Sequence, residues 1–261
     1  MEKVSSAQLP KRTEPEEYDL VILGSGAGSK FAAWTFAAQG QRVAVIERKY
    51  VGGSCPNIAC LLSKNVIHSA TVASYFRRSE EFGIMKDGFT VDMSAVRDRK
   101  RTMVSGLMID GHFDNYKKSG AELIFGSGRF KGPKTLEATL PDGTSRQLRG
   151  TNIIIGTGTR AALEPISGLA DAQPLTHVEA LEVDEVPGHL LVIGGGYAGL
   201  ELSQAMRRFG SKVSVIERND RLVHREDEDM AEALHSLFED EGIDVVLKAR
   251  VKAISGKSRA S

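Results

Sequence analysis

Two stretches of the chain run from an unbroken apolar block, through a glycine cluster, into an apolar pattern of helical period and then a second apolar block. The first is Leu20-Val21-Ile22-Leu23, a cluster from Gly24 to Ser29, a helix-period segment to Gly40, and Val43-Ala44-Val45-Ile46-Glu47-Arg48. The second is Leu190-Leu191-Val192-Ile193, a cluster from Gly194 to Gly199, a helix-period segment to Gly210, and Val213-Ser214-Val215-Ile216-Glu217-Arg218. Gly24 and Gly194, Gly40 and Gly210, and Glu47 and Glu217 each lie 170 positions apart. Apolar blocks without alternation suit parallel strands buried on both faces. A glycine closing each helical pattern suits a left-handed C-terminal residue. The chain therefore reads as two β-α-β units.

Between the units, Cys55 to about Arg78 carries a helical pattern, and Ser94 to Lys118 reads as a second amphipathic helix. Residues 121–148 alternate and contain Pro141-Asp142-Gly143, which predicts a small antiparallel flap. A strand over 151–159 runs into Gly156-Thr157-Gly158, and the Pro-rich stretch from 161 to 187 reads as a connector. The expected fold is α/β, with two Rossmann-like units and the second incomplete. Its divisions are a flexible tail 1–17, a first domain 18–160, a connector 161–188 and a partial second domain 189–261.

Each glycine cluster carries binding chemistry. Gly24 makes the tight turn, Gly26 admits a pyrophosphate close to the backbone, and the helix beyond offers unpaired N–H groups to that anion. Ser29 stands where Gly or Ala is usual but is still small. Glu47 lies where an acceptor for the adenosine ribose is needed. Gly194, Gly196, Gly199 and Glu217 repeat the arrangement. An acid at position 217 repels a 2′-phosphate and so favours NADH, although Arg218 and Arg221 stand close enough to oppose that preference.

Composition narrows the class. The 34 basic and 34 acidic residues balance, which gives no electrostatic case for nucleic acid or an anionic membrane. No apolar run is long enough to span a bilayer, and the polar start from Met1 to Tyr18 lacks a secretory core, which predicts a cytoplasmic protein. The only cysteines are Cys55 and Cys60. His68 and His112 lack ligand-like spacing to them, so no metal site is assigned. A close pair without an export signal reads as redox-active. Cys60 falls at a predicted helix N-terminus, which favours a thiolate, with Lys64 one turn along the same face.

The run Gly52-Gly53-Ser54-Cys55-Pro56-Asn57-Ile58-Ala59-Cys60-Leu61-Leu62-Ser63-Lys64 resembles the active-site segment of the class I pyridine nucleotide–disulfide oxidoreductases. These include dihydrolipoamide dehydrogenase, glutathione reductase and mercuric reductase, and the resemblance runs from Tyr18 onward. Gly156-Thr157-Gly158 is similar to the family's Ala-Thr-Gly turn, and Gly194 to Glu201 to its second nucleotide segment. The resemblance implies that FAD is held by the first unit, with Gly53, Ser54, Gly156, Thr157 and Gly158 among its contacts. It also implies a redox path from NAD(P)H through FAD to the Cys55–Cys60 disulfide, and on to a small-molecule disulfide or soft metal ion. Cys55 would be the interchange thiol, Cys60 the thiol against the flavin, Lys64 the partner of Glu201, and Tyr197 the cover of the nicotinamide pocket. Ala59 replaces the usual Gly, which asks a β-carbon to fit a tight turn, and Leu62 replaces a Pro preset for the first helical turn.

Family members continue past this chain's end, into a second FAD segment and a dimerisation domain with a catalytic His-Glu pair. None of the six histidines here, His177, His189 and His224 among them, matches that motif. The expectation is a truncated flavin oxidoreductase that lacks its general acid/base and whose dimer is in question. The alternatives are a non-catalytic FAD/NAD-binding remnant, a subunit needing a partner chain, or an FAD-dependent NADH oxidase without a thiol substrate.

Overall fold

The computed structural model describes residues 14–85, 87–105 and 110–258. By contact the chain forms two compact units, Met1–Ser54 with Met108–Gly158, and Cys55–Leu107 with Thr159–Ser261.

In the first unit, β1 (Glu16–Leu23), α1 (Ala27–Ala38) and β2 (Val43–Glu47) form the predicted β-α-β. The helix α5 (Asp110–Ser119) leads to β3 (Glu122–Phe125), then β4 (Ser127–Gly132), β5 (Thr135–Thr139) and β6 (Ser145–Ile155). The sheet order is β3-β2-β1-β6-β5-β4. Alternation along β1 and β2 divides the core. Leu20, Ile22, Val43 and Val45 pack with Ala33 and Tyr116, while Val21, Ala44 and Ile46 pack with Leu136 and Leu148 of β5 and β6. Helices thus cover one face and the flap covers the other, which is why all five β2 residues are buried.

Three sequence expectations change here. The last strand of the flap and the strand expected from Thr151 are one: β6 pairs antiparallel with β5 over Ser145–Arg149 and parallel with β1 from Leu148 to Ile155. Residues of β3 pair parallel to β2 rather than joining the flap, because a helix returns the chain to the same sheet edge. The expected tail gives way to β1 at Glu16, and residues 1–13 lie outside those described.

The second unit opens within α2 (Ser54–Ile58) and continues into α3 (Cys60–Arg77) and α4 (Met93–Val104). The amphipathic pattern expected over 94–118 is therefore two helices, α4 here and α5 in the first unit, with 106–109 outside the described residues. After the short α6 (His177–Ala180) come β7 (His189–Ile193), α7 (Tyr197–Phe209), β8 (Lys212–Ile216), α8 (Glu228–Asp240) and β9 (Asp244–Val246). The strands form a parallel sheet in the order β7-β8-β9.

Sequence reading places 55–107 in the first domain, whereas contact groups it with 159–261. The cause lies on one face of α3: Leu62, Val66, Ala70 and Ala73 are buried against Leu200, Met206 and Phe209 of α7. Spacings of four, four and three residues put these groups on one stripe, and α7 offers the matching one. The connector is also more ordered than its composition suggests. A capping box of Thr176 and Glu179 starts α6, and Ile254 N donates to Ser167 O at 2.8 Å. Among the described residues no helix is long and apolar enough to cross a membrane.

Candidate functional site

The turn between β1 and α1 is built by backbone approach. A β-carbon on Gly24, where φ is +96°, would lie 2.3 Å from Gly156 O, and one on Gly53 would lie 2.7 Å from Gly26 Cα. Glycine at 24 and at 53 is what lets these backbones come this close to Gly156 and Gly26. Gly26, in extended conformation, precedes α1, whose first turn has neither a side-chain cap nor an acidic residue. The first-turn N–H groups thus offer the donors and dipole end that a pyrophosphate needs. The residues present fit a dinucleotide.

Glu47 is 9% exposed and closes the turn from below. Its Oε2 accepts from Ser25 N at 2.9 Å and Ser25 Oγ at 2.8 Å, and its Oε1 from Lys49 N at 2.7 Å and Tyr50 N at 3.0 Å. Burial pushes this carboxyl up, but those hydrogen bonds, Lys49 N foremost, outweigh it and hold the group below the usual carboxylate range. In the second unit Glu217 does the equivalent work: Oε2 accepts from Gly195 N at 2.5 Å, and Oε1 from Asn219 N and Nδ2 at 2.7 and 2.6 Å. Gly195 has no hydroxyl to match Ser25, and the Asn219 side chain supplies the missing donor. Sequence reading passed over both Ser25 and Asn219, although Ser25 stands inside the motif itself.

A pH dependence follows from these carboxylates. For Glu47 and Glu217 the folded state has the lower pKa, so the unfolded chain takes up protons first as pH falls. Their stabilisation is complete above about pH 5 and is lost progressively as pH falls from the ordinary carboxylate value through the lower folded values. Glu47→Gln is expected to cost about 1–3 kcal/mol at pH 7, because in either orientation its amide NH₂ would face at least one backbone donor. Urea unfolding at pH 7 and pH 3.5 checks this: the gap between variant and parent should be present at the first and shrink at the second.

The two cysteines lie at the start of the second unit. Gly52 and Gly53, with φ of 89° and 84°, turn the chain into α2, where Cys55 is half-buried. Cys60 is exposed and is the first residue of α3, whose first turn has no side-chain cap or acidic residue. Ala59 has φ −137°, outside the region that favours glycine, and Leu62 is buried against α7 instead of presetting the turn.

One turn along, Lys64 Nζ meets Glu201 Oε2 at 2.6 Å, joining α3 to α7. The two side chains are 59% and 42% exposed, and such a pair adds only about 0–1 kcal/mol to stability. What the pair does is fix the direction of a cation beside the thiol-bearing turn. Tyr197, 63% exposed at the start of α7, donates its hydroxyl to the Glu226 carboxylate, and that bond raises the phenol above its ordinary range. Glu226 belongs to no motif and could not have been picked from the sequence.

A cleft of about 730 Å³ in the second unit is lined by Gly194, Gly195, Gly196, Tyr197 and Glu217. Arg218, Arg225, Arg250 and Lys252 also line it, against the acids Glu164 and Glu217, so the wall suits an anionic ligand. The α7 helix that opens from it likewise has no side-chain cap in its first turn. Gly199 is packed against the glycine turn behind it: a β-carbon there would be 3.1 Å from Gly194 O.

His112 packs beside Lys30. It is buried in the first unit, with Nε2 3.2 Å from Lys30 Nζ and its ring in the space that a Gly52 β-carbon would fill. Burial, then the charge of Lys30, holds His112 below the ordinary imidazole range, so it is neutral at pH 7. Among the described residues no cluster of three or more His, Cys, Asp or Glu side chains could hold a metal ion.

The family model for pyridine nucleotide-disulphide oxidoreductase matches residues 18–261. A mercuric reductase from Streptomyces lividans is 33% identical over 91% of this chain and 50% of its own length. A dihydrolipoyl dehydrogenase from Bacillus subtilis is 34% identical over 90% of this chain and 51% of its own. Among solved structures, the Cu(II) complex of the HOCl-induced flavoprotein disulfide reductase RclA from Escherichia coli aligns with a TM-score of 0.80. That match has 30% identity and covers 93% of this chain and 52% of that one. The chain spans about half the length of the curated relatives it matches.

Proposed function

The chain belongs to the pyridine nucleotide-disulphide oxidoreductase family, and from that premise we propose that it binds FAD in its first unit and NAD(P)H, with NADH preferred, in its second. Reducing equivalents reach the Cys55–Cys60 pair and leave to a small-molecule disulfide or a soft metal ion. Bound FAD supplies a two-electron carrier between nicotinamide and disulfide. Gly24, Gly26 and the first turn of α1 would hold the pyrophosphate, with Ser29, Thr157 and Gly158 shaping the turn, while Glu47, bonded to Ser25, Lys49 and Tyr50, braces the turn on the ribose side. Gly53 and Ser54 carry the chain past that turn to the thiols.

Gly194, Gly196, Gly199 and Glu217 form the second cradle, and Tyr197 covers its nicotinamide end. Two electrons and two protons convert the disulfide into two thiols. Cys60 receives the electrons beside the open helix terminus and Lys64, and Cys55 exchanges with the acceptor. The names of relatives, mercuric reductases and a Cu(II) complex, support a thiophilic metal ion as acceptor.

The observation that carries this reading is the Lys64–Glu201 ion pair. It ties the helix that begins at Cys60 to the helix that begins at the second glycine cluster. An anaerobic thiol titration of the FAD-loaded, oxidised chain tests it. NADH should release two titratable thiols per chain in the parent and no NADH-dependent thiols in Cys60→Ser or Cys55→Ser. Failure to bind FAD would end the reading. Binding of both nucleotides with no NADH-dependent thiols would favour a non-catalytic nucleotide-binding chain.

A further inference from the structure

The acid that ends the second β-α-β unit is occupied by its own chain. Glu217 is 6% exposed, and both of its oxygens accept from Gly195 and Asn219. Its first task is to hold the glycine turn to the turn after β8. The two arginines that follow differ. Arg221 Nη2 donates back to the His224 carbonyl at 3.4 Å, within the same turn. Arg218 reaches out of the turn, and its Nη1 donates to Glu164 Oε1 at 3.1 Å. Both members of this pair line the cleft, with side chains 54% and 53% exposed. Glu164 comes from the connector, 54 positions upstream, and belongs to no nucleotide motif.

We propose that Glu164 is a specificity-determining residue for the dinucleotide, because its carboxylate occupies Arg218 where a ribose 2′-phosphate would otherwise bind. The inference rests on the reading of this cleft as the NAD(P)H site. In such units an arginine near the end of the second strand accommodates the 2′-phosphate, as a planar guanidinium suits phosphate oxygens. Here a 2′-phosphate must displace Glu164 and then sit beside the carboxylate it has displaced. NADH meets neither cost. The remaining cations of the cleft wall attract either cofactor, since both carry the pyrophosphate, and so leave the choice to the 2′ position. Glu217 adds negative charge nearby, but its oxygens are committed inward. The contact that changes between the two cofactors is therefore Glu164 with Arg218.

Calorimetric titration of the full chain with adenosine 2′,5′-bisphosphate and with 5′-AMP tests the proposal without any need for turnover. The proteins compared are the parent, Glu164→Gln, Arg218→Gln and the double variant, in low salt. Glu164→Gln should tighten the bisphosphate by about fivefold, the scale of a half-exposed ion pair, and leave 5′-AMP unchanged. The gain should fall as salt is raised and vanish when Arg218 is also replaced. Equal tightening of both nucleotides, or a gain that persists without Arg218, would overturn the proposal. So would an unchanged bisphosphate affinity, and in that case 5′-AMP binding would leave the cleft reading standing. Binding of neither nucleotide would overturn the cleft reading and the proposal together.

Discussion

A Gly24→Ala variant is expected to lose about 3–5 kcal/mol of stability and, with it, most of its capacity to hold FAD. Two costs combine. The backbone at Gly24 has φ +96°, a conformation that an L side chain adopts only under strain of about 1–3 kcal/mol. The new β-carbon would also lie 2.3 Å from Gly156 O and 2.8 Å from Gly156 C, and neither atom can swing aside as a side chain would. The β1–α1 turn or the end of β6 must therefore shift, and these are the loops proposed above to hold the pyrophosphate. Gly28 supplies the internal control, since a β-carbon there meets nothing within 4 Å and its φ is not positive. Gly28→Ala should be neutral or stabilise α1 by up to about 1 kcal/mol. Thermal unfolding and flavin retention of the two variants would separate them. Equal melting temperatures would show that the turn is not held by backbone contact.

The difference between these two neighbouring glycines was only partly legible in the sequence. The fingerprint marks Gly24 by its place after an apolar strand, and the repeat 170 residues later makes the same statement for Gly194. Such local signals hold because a strand, a tight turn and a helix start are set by residues close in sequence. The helix starting at Cys60 was legible for the same reason, and the structure brings Lys64 to Glu201 as the family resemblance implied.

What the sequence could not show depends on pairings across long separations. The stripe of α3 that buries Leu62 and Val66 could have packed on either unit, and only the complementary face of α7 decides it. Glu226 with Tyr197, Glu164 with Arg218, and Lys30 with His112 are single polar residues without periodicity. Their roles come from what lies opposite, and nothing in their own neighbourhood announces it. The Ser25 hydroxyl bonded to Glu47 is the instructive exception: its position inside the motif was plain, and only its bond was missing.

The same long-range logic joins two departures that look unrelated along the chain. Ser29 stands where the fingerprint usually has Gly or Ala, and Gly156 stands where the family turn usually has Ala. In the structure they face one another: a β-carbon on Gly156 would lie 2.0 Å from Ser29 Oγ and 3.3 Å from its Cβ. Gly156 has no positive φ, so alanine is conformationally acceptable there, and its other near neighbour, Leu23 O, is 3.5 Å away, an ordinary contact. The obstacle is the serine. Gly156→Ala alone is therefore expected to cost about 1–3 kcal/mol, as Ser29, only 6% exposed, is forced to another rotamer in a packed site. Ser29→Gly alone should cost about 0.5–1 kcal/mol through the helix backbone. Together they should cost less than the sum by about 1–2 kcal/mol, because the second change makes room for the first. Ser29→Ala should recover only part, since its β-carbon stays at the tight 3.3 Å. A double-mutant cycle by urea unfolding, with flavin retention measured on the same four proteins, decides the matter. Additivity within about 0.5 kcal/mol would mean that the two departures arose separately and that the serine hydroxyl yields without strain.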